Sequence, residues 1–158
     1  MNVSQILKWK WTLELLWWLF TAIIITLVML PIYFNVPAFP FWKENTLMII
    51  LFITFSRYFF LLPLTFIARM KWIKVAIIAV TVLFVGIMST TISDIRNFMD
   101  EQGLQTLVDH LHVTRQTSMM RYIKNELVFF GVGSIITGIL LAMRMIVSLW
   151  RMRNSGRV

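Results

Sequence analysis

The sequence lacks cysteine and has few charged residues. Asp, Glu, Lys and Arg make up 14% of the 158 residues, against about 25% in typical soluble domains. The absence of cysteine excludes disulfides, thiolate metal sites, thiol nucleophiles and S-palmitoylation. Together with a hydrophobic share of 59%, the low share of charged residues is not that of a protein that folds in water.

Motifs that carry chemistry are also missing. The sequence contains no glycine-rich phosphate loop, no nucleophile elbow and no pair of acids within an apolar run. His110 and His112 are two residues apart and therefore do not share a helix face, so we interpret them as interfacial histidines rather than metal ligands. We therefore expect no enzyme, no cofactor and no metal site.

Apolar residues occur in four blocks, each long enough to cross a bilayer. A crossing helix needs about 20 residues, because each residue rises 1.5 Å across a hydrocarbon core of roughly 30 Å. The first block is too long for a signal peptide, so we expect it to be retained. The sequence predicts one all-α integral membrane domain over residues 1–158, with four transmembrane helices arranged as two antiparallel hairpins. The predicted spans are about 12–34, 46–68, 72–93 and 125–149.

The distribution of cations predicts the orientation in the membrane. Basic residues are concentrated before the first span, between the second and third spans, and after the fourth, so the positive-inside rule predicts cytoplasmic termini. We predict that cations on this side contact anionic lipid headgroups, at about 1 kcal/mol each. These are Lys8, Lys10, Arg69, Lys71, Lys74, Arg151 and Arg153. Topology thus explains the basic character, and we expect no nucleic-acid partner.

Residues 94–124, between the third and fourth spans, form the one sizeable exposed segment. Apolar residues at helical spacing continue past the third span, and Gly103 is a natural stop. A second pattern over residues 104–111 predicts a short amphipathic helix, and the chain is expected to run helically into the fourth span from about Ser118. We predict a helical extramembrane cap.

Arg57 lies near the middle of the second span, where an unpaired cation costs about 2.5 to 3.5 kcal/mol. Glu14, at the start of the first span, has two candidate partners. By depth we expect Glu14 to pair with Arg144, whereas a pair with Arg57 requires staggered helices. Arg57 would then contact backbone carbonyls near Pro63 or a group outside the chain, or it would line a pathway for an ion, a proton or a substrate.

Small residues follow one another along the fourth span at intervals of three or four. They are Gly131, Ser134, Gly138 and Ala142. Such a face permits close approach of two helix backbones. The pattern predicts helix packing, either within the protein's own bundle or against a partner. The third span has a shorter version of it with Ala79, Gly86 and Thr90.

From these patterns we expect a small accessory or structural subunit that packs its fourth span and its helical outer cap against a larger bacterial inner-membrane complex. Its contributions would be helix packing and lipid anchoring. The bacterial origin is inferred from the small, cysteine-free plan. The alternative is a small oligomeric transporter or channel with Arg57 in its lumen, which would favour anions.

Overall fold

A computed structural model describes residues 3–65, 67, 70–101 and 103–154, and the side chains of residues 3–8, 10 and 101 lie outside this description. Over the described residues the protein is all-helical, with 90% helix and no strand. The α-helices in chain order are α1 (Val3–Asn35), α2 (Trp42–Leu61), α3 (Lys71–Glu101), α4 (Gln105–Val108) and α5 (Val113–Asn154). A 3₁₀ turn over Leu62–Leu64 follows α2.

All of these helices except α4 are long and apolar enough to cross a membrane. Each coincides with one of the apolar blocks of the sequence, because a long run without charge can satisfy its backbone polar groups in lipid only as a helix. The predicted all-helical fold, with four helices that are long and apolar enough to cross a membrane, is therefore confirmed, and these helices are typical of an integral membrane protein.

The helices between the third and fourth spans differ in extent from the predicted ones. The helix α3 continues to Glu101, and Gly103 follows with a left-handed φ of 73°. The Gly103 N–H donates to the carbonyl of Phe98 at 3.3 Å, so glycine ends the helix as expected. The short α4 has four residues instead of the eight predicted, and α5 begins at Val113 rather than near Ser118.

The bundle is organised around α5, which packs extensively against both α2 and α3. The contacts of α1 are fewer and are made mainly with α2. Along α3, the residues that face α5 recur every seventh position. These buried residues are Lys74, Thr81, Met88 and Ile95. A repeat of seven keeps one face of a helix against its neighbour over several turns.

Candidate functional site

The structure pairs Arg57 of α2 with Glu14 of α1. The Arg57 Nη2 atom lies 2.6 Å from Glu14 Oε1, and the side chains are 7% and 19% exposed. The Arg57 guanidinium also lies 5.7 Å from the ring centre of Trp17 and 5.2 Å from that of Tyr58. The carboxylate and two aromatic faces therefore stabilise a cation that lipid alone would disfavour.

The expected pairing of Glu14 with Arg144 is wrong in this fold. The Arg144 guanidinium instead lies over the ring of Phe59, 5.4 Å from its centre. The reason is the order of the helices, because α1 packs mainly on α2 rather than on α5. Arg57 accordingly has a partner within the chain, although its Nε atom has no hydrogen-bond partner among the described residues.

A second buried polar pair, which the sequence did not predict, joins α2 to α5. Asn45 and Glu126 are both buried, and Asn45 Nδ2 donates to Glu126 Oε2 at 2.8 Å. The same amide nitrogen lies 3.3 Å from Met29 Sδ of α1. Asn45 Oδ1 and Glu126 Oε1 have no hydrogen-bond partner among the described residues. The Asn45–Glu126 pair can therefore accept one more proton or polar hydrogen.

Only a weak signal in the sequence points to this second pair. Asn45 and Glu126 each stand at the start of an apolar block, where a polar residue is equally compatible with a position facing the adjoining loop. Because α2 and α5 are in contact, these positions meet inside the bundle instead. Nearby, the Tyr122 hydroxyl donates to the Val28 carbonyl at 2.8 Å, which gives α1 a contact with α5.

Lys74 does not reach the lipid headgroups as the sequence predicted. It is only 1% exposed, and its Nζ lies 2.8 Å from Ser148 Oγ and 3.0 Å from Met152 Sδ. The seven-residue repeat of α3 turns this lysine toward α5, so it joins two helices. Lys71, three residues earlier, is exposed.

The remaining predicted headgroup contacts differ in what the structure describes. Arg151 and Arg153 are exposed near the end of α5. The side chains of Lys8 and Lys10, and the whole of Arg69, lie outside the described residues. Contact of any of these cations with lipid stays a prediction.

The small residues of α5 face the inside of the protein's own bundle. Gly131, Ser134 and Gly138 are buried, whereas Ala142 is half-buried. A Cβ atom at Gly138 would lie 2.7 Å from Val85 of α3 and 3.2 Å from Phe55 of α2. The absence of side-chain atoms here therefore allows α2 and α3 to approach α5 closely.

Gly133 has a similar role that the predicted stripe omitted. A Cβ at this position would lie 2.8 Å from the ring of Phe52, which itself packs edge-on against Phe129 and Phe130. The spacing of small residues indicates one face of α5. Gly133 lies beside that face, where the absence of a side chain leaves space for the Phe52 ring.

His110 and His112 make only local or backbone contacts. His110 Nε2 lies 2.8 Å from the Asn35 carbonyl oxygen, and His112 Nδ1 lies 2.9 Å from Thr114 Oγ1. Among the described residues, no group of three or more His, Asp or Glu side chains is placed to hold a metal ion. The two histidines therefore tie the chain near α4 to the end of α1 and to the start of α5.

Comparison of the chain with protein-family models, with curated proteins and with solved structures finds no match. The functional argument therefore depends on the residues described above and on the faces that the bundle leaves uncovered.

Proposed function

We propose that this protein is a small accessory or structural subunit of a larger protein complex in a bacterial inner membrane. The outward face of α3 would dock against a transmembrane helix of a partner subunit. The proposal includes the two antiparallel helix hairpins, the extramembrane cap near α4, and cytoplasmic termini whose exposed cations contact anionic headgroups.

The observation that carries this proposal is a row of small residues on the exposed side of α3. Opposite the buried residues of α3, small side chains recur at intervals of three, four or seven. They are Ala76, Ala79, Gly86, Thr90 and Ser93, all exposed, with Leu83 as the one large residue in the row. Intervals of three and four form a straight seam along one side of a helix. Small residues on such a seam let another helix approach closely.

The seam differs from the exposed side of α1. There most of the exposed side chains are large and apolar, including Leu16, Leu19, Phe20, Ile23 and Leu27, with Ala22 and Thr26 as smaller exceptions, and acyl chains cover such a surface well. Of the four long helices, α3 is the least covered by the rest of the protein: 11% of its apolar 18-residue stretch is buried, compared with 17% for α1 and 39% for α2 and α5. A poorly covered helix with a small-residue seam suits a protein partner better than lipid.

The hydroxyl groups on this part of α3 do not oppose that interpretation. Thr90 Oγ1 donates to the Ile87 carbonyl at 2.8 Å, and Ser93 Oγ donates to the Ser89 carbonyl at 3.1 Å. Because these hydroxyls are satisfied by their own helix, the seam needs no polar residue on the partner. Van der Waals packing of backbone against backbone is then the expected source of affinity.

The alternative of a transporter or channel with Arg57 in its lumen has weaker support. Arg57 is buried and paired with Glu14, so its charge is already neutralised within the chain. The nearby cavity of about 220 Å³, which is bordered by Thr54, Tyr58 and Thr81, does not include Arg57 in its lining. An anion pathway would require this guanidinium to leave its partner.

The proposal can be tested by photo-crosslinking in intact membranes of a bacterial host that encodes the chain. A benzophenone side chain introduced at Ala79 of the full-length protein should give a crosslinked product containing one other membrane protein. The matched control is the same side chain at Ala22, an exposed alanine on α1, which should give no such product.

Substitution of Gly86 provides the second arm of this experiment. A Cβ at Gly86 meets no atom within 4 Å, so Gly86→Leu should leave the fold intact and abolish the crosslink from position 79. Crosslinks of equal yield from positions 79 and 22 would contradict the proposal. A crosslinked product that contains two copies of the 18.7 kDa chain would also contradict it and would indicate self-association through α3 instead.

A further inference from the structure

A groove between α2 and α5 combines an apolar wall with two arginines. It has a volume of about 530 Å³ and lies where the 3₁₀ turn after α2 passes the last third of α5. Its lining includes Phe59, Leu140 and Met143 on the apolar side, and Arg144, Ser148 and Arg151 on the polar side. Neither the accessory role nor the helix packing of α5 accounts for this arrangement.

The polar side of the groove follows from the periodicity of α5. Arg144 and Arg151 are seven residues apart, so they share one helix face about 10.5 Å apart along the axis. Ser148 lies between them, and its Oγ accepts a hydrogen bond from Lys74 Nζ at 2.8 Å. Among the described residues, the groove lining therefore combines two arginines with a serine that Lys74 contacts from α3, and it contains no acidic side chain.

The groove has the position expected for the boundary between lipid tails and headgroups. Two strongly exposed tryptophans lie close to these cations in the sequence. Trp150 directly precedes Arg151, and Trp72 is two residues before Lys74. Tryptophan prefers the interfacial region of a bilayer. From Arg151 the groove extends along α5 past Met143 to Leu140, which is toward the apolar middle of the helix.

We propose that this groove binds one anionic phospholipid. The phosphate would lie between Arg144 and Arg151, and one acyl chain would follow Phe59, Leu140 and Met143. Arg144 is already oriented for this role, because its guanidinium lies over the Phe59 ring and can still donate hydrogen bonds from its edge. This site is a specific one, distinct from the general attraction of basic termini to the membrane, and it does not depend on the accessory role.

The experiment is native mass spectrometry of the full-length protein in detergent, titrated separately with dioleoylphosphatidylglycerol and dioleoylphosphatidylcholine. The two probes have the same acyl chains and differ in net charge. We expect one phosphatidylglycerol per chain, bound about tenfold more tightly than phosphatidylcholine, as for one charge-assisted contact. Equal affinity for the two lipids would overturn the proposal.

Variants of α5 separate a specific site from diffuse charge. Arg144→Gln and Arg151→Gln should each weaken phosphatidylglycerol binding about tenfold. Arg153→Gln removes the same charge from the same helix outside the groove lining, and it should leave the affinity unchanged. An equal loss in all three variants would show non-specific attraction and overturn the proposal.

A steric pair of variants keeps the test valid if an arginine variant does not fold. Val147 lines the groove, whereas its exposed neighbour Ile146 does not. Val147→Trp should abolish the specific binding with every charge retained, and Ile146→Trp should preserve it. Displacement of the lipid by an equal concentration of inorganic phosphate would identify a free-phosphate site instead, and would also overturn the proposal.

Discussion

Glu14 Oε1 and Arg57 Nη2, on the first two helices, lie 2.6 Å apart, and the rings of Trp17 and Tyr58 lie beside the Arg57 guanidinium. This pair converts two charges that lipid disfavours into one neutral unit. It also fixes the relative height of α1 and α2, because a shift by one helical turn of about 5.4 Å would separate the charges.

Removing one member of this pair should destabilise the protein. We expect Arg57→Leu to lower the free energy of unfolding in detergent by about 2 kcal/mol, which is less than for a fully buried pair because Glu14 is part-exposed. The double variant Glu14→Leu/Arg57→Leu should recover at least half of this loss, since no charge is then left unpaired. Chemical unfolding of the two variants measures the difference, and a double variant as unstable as the single one would exclude the pairing.

Gly138 and Gly86 should differ in how well they tolerate a larger side chain. We expect Gly138→Leu to lower the free energy of unfolding by about 1 to 3 kcal/mol through overpacking against Val85 and Phe55. Gly86→Leu, at an open position, should change it by less than about 0.5 kcal/mol. Thermal unfolding in detergent compares the two variants. Equal destabilisation would contradict the placement of Gly138 inside the bundle and Gly86 outside it.

The Asn45–Glu126 pair predicts which substitutions of Glu126 are tolerated. Glutamine retains an oxygen for Asn45 Nδ2 and adds an N–H that can donate to Asn45 Oδ1. We therefore expect Glu126→Gln to raise the free energy of unfolding by about 1 kcal/mol. Glu126→Leu leaves the buried amide of Asn45 without this partner and should lower it by about 1 to 3 kcal/mol. The same unfolding measurement tests both, and a leucine variant more stable than the glutamine variant would argue against the pair.

Lys71 and Lys74 should differ in reactivity toward an amine-acylating reagent. Lys71 is exposed, whereas the Nζ of Lys74 is enclosed between α3 and α5 and held by Ser148. We expect acylation of Lys74 to be at least about tenfold slower, since the helices must open before the reagent enters. Peptide mass spectrometry after timed labelling measures both rates in one sample. Similar rates would contradict the burial of Lys74 and favour its contact with lipid headgroups.

The sequence predicted the helices because their signal is local. Uninterrupted apolar runs, the stop at Gly103 and the charges between the runs can all be read without knowing which helices touch. The structure confirms four helices of membrane-crossing length.

The partners of the buried polar residues could not be predicted in the same way. Glu14 was assigned by depth to Arg144, and depth alone does not say that α1 lies beside α2. Asn45 and Glu126 are 81 residues apart, and their contact depends on the rotation of two helices about their own axes. The burial of Lys74 could not be predicted for the same reason, since a basic residue near a span end faces lipid or protein according to the rotation of its helix.

The central place of α5 has a consequence for how the protein is made. The helix on which α2 and α3 both pack follows them in the chain and is therefore synthesised after them. At about 5 to 20 residues per second, translation completes α5 roughly 5 to 20 s after the last residue of α2 has been added. During this interval α2 and α3 lack the helix with which each makes most of its contacts. The ion pair between α1 and α2 needs no later residue, so it can shield the arginine from lipid during this interval.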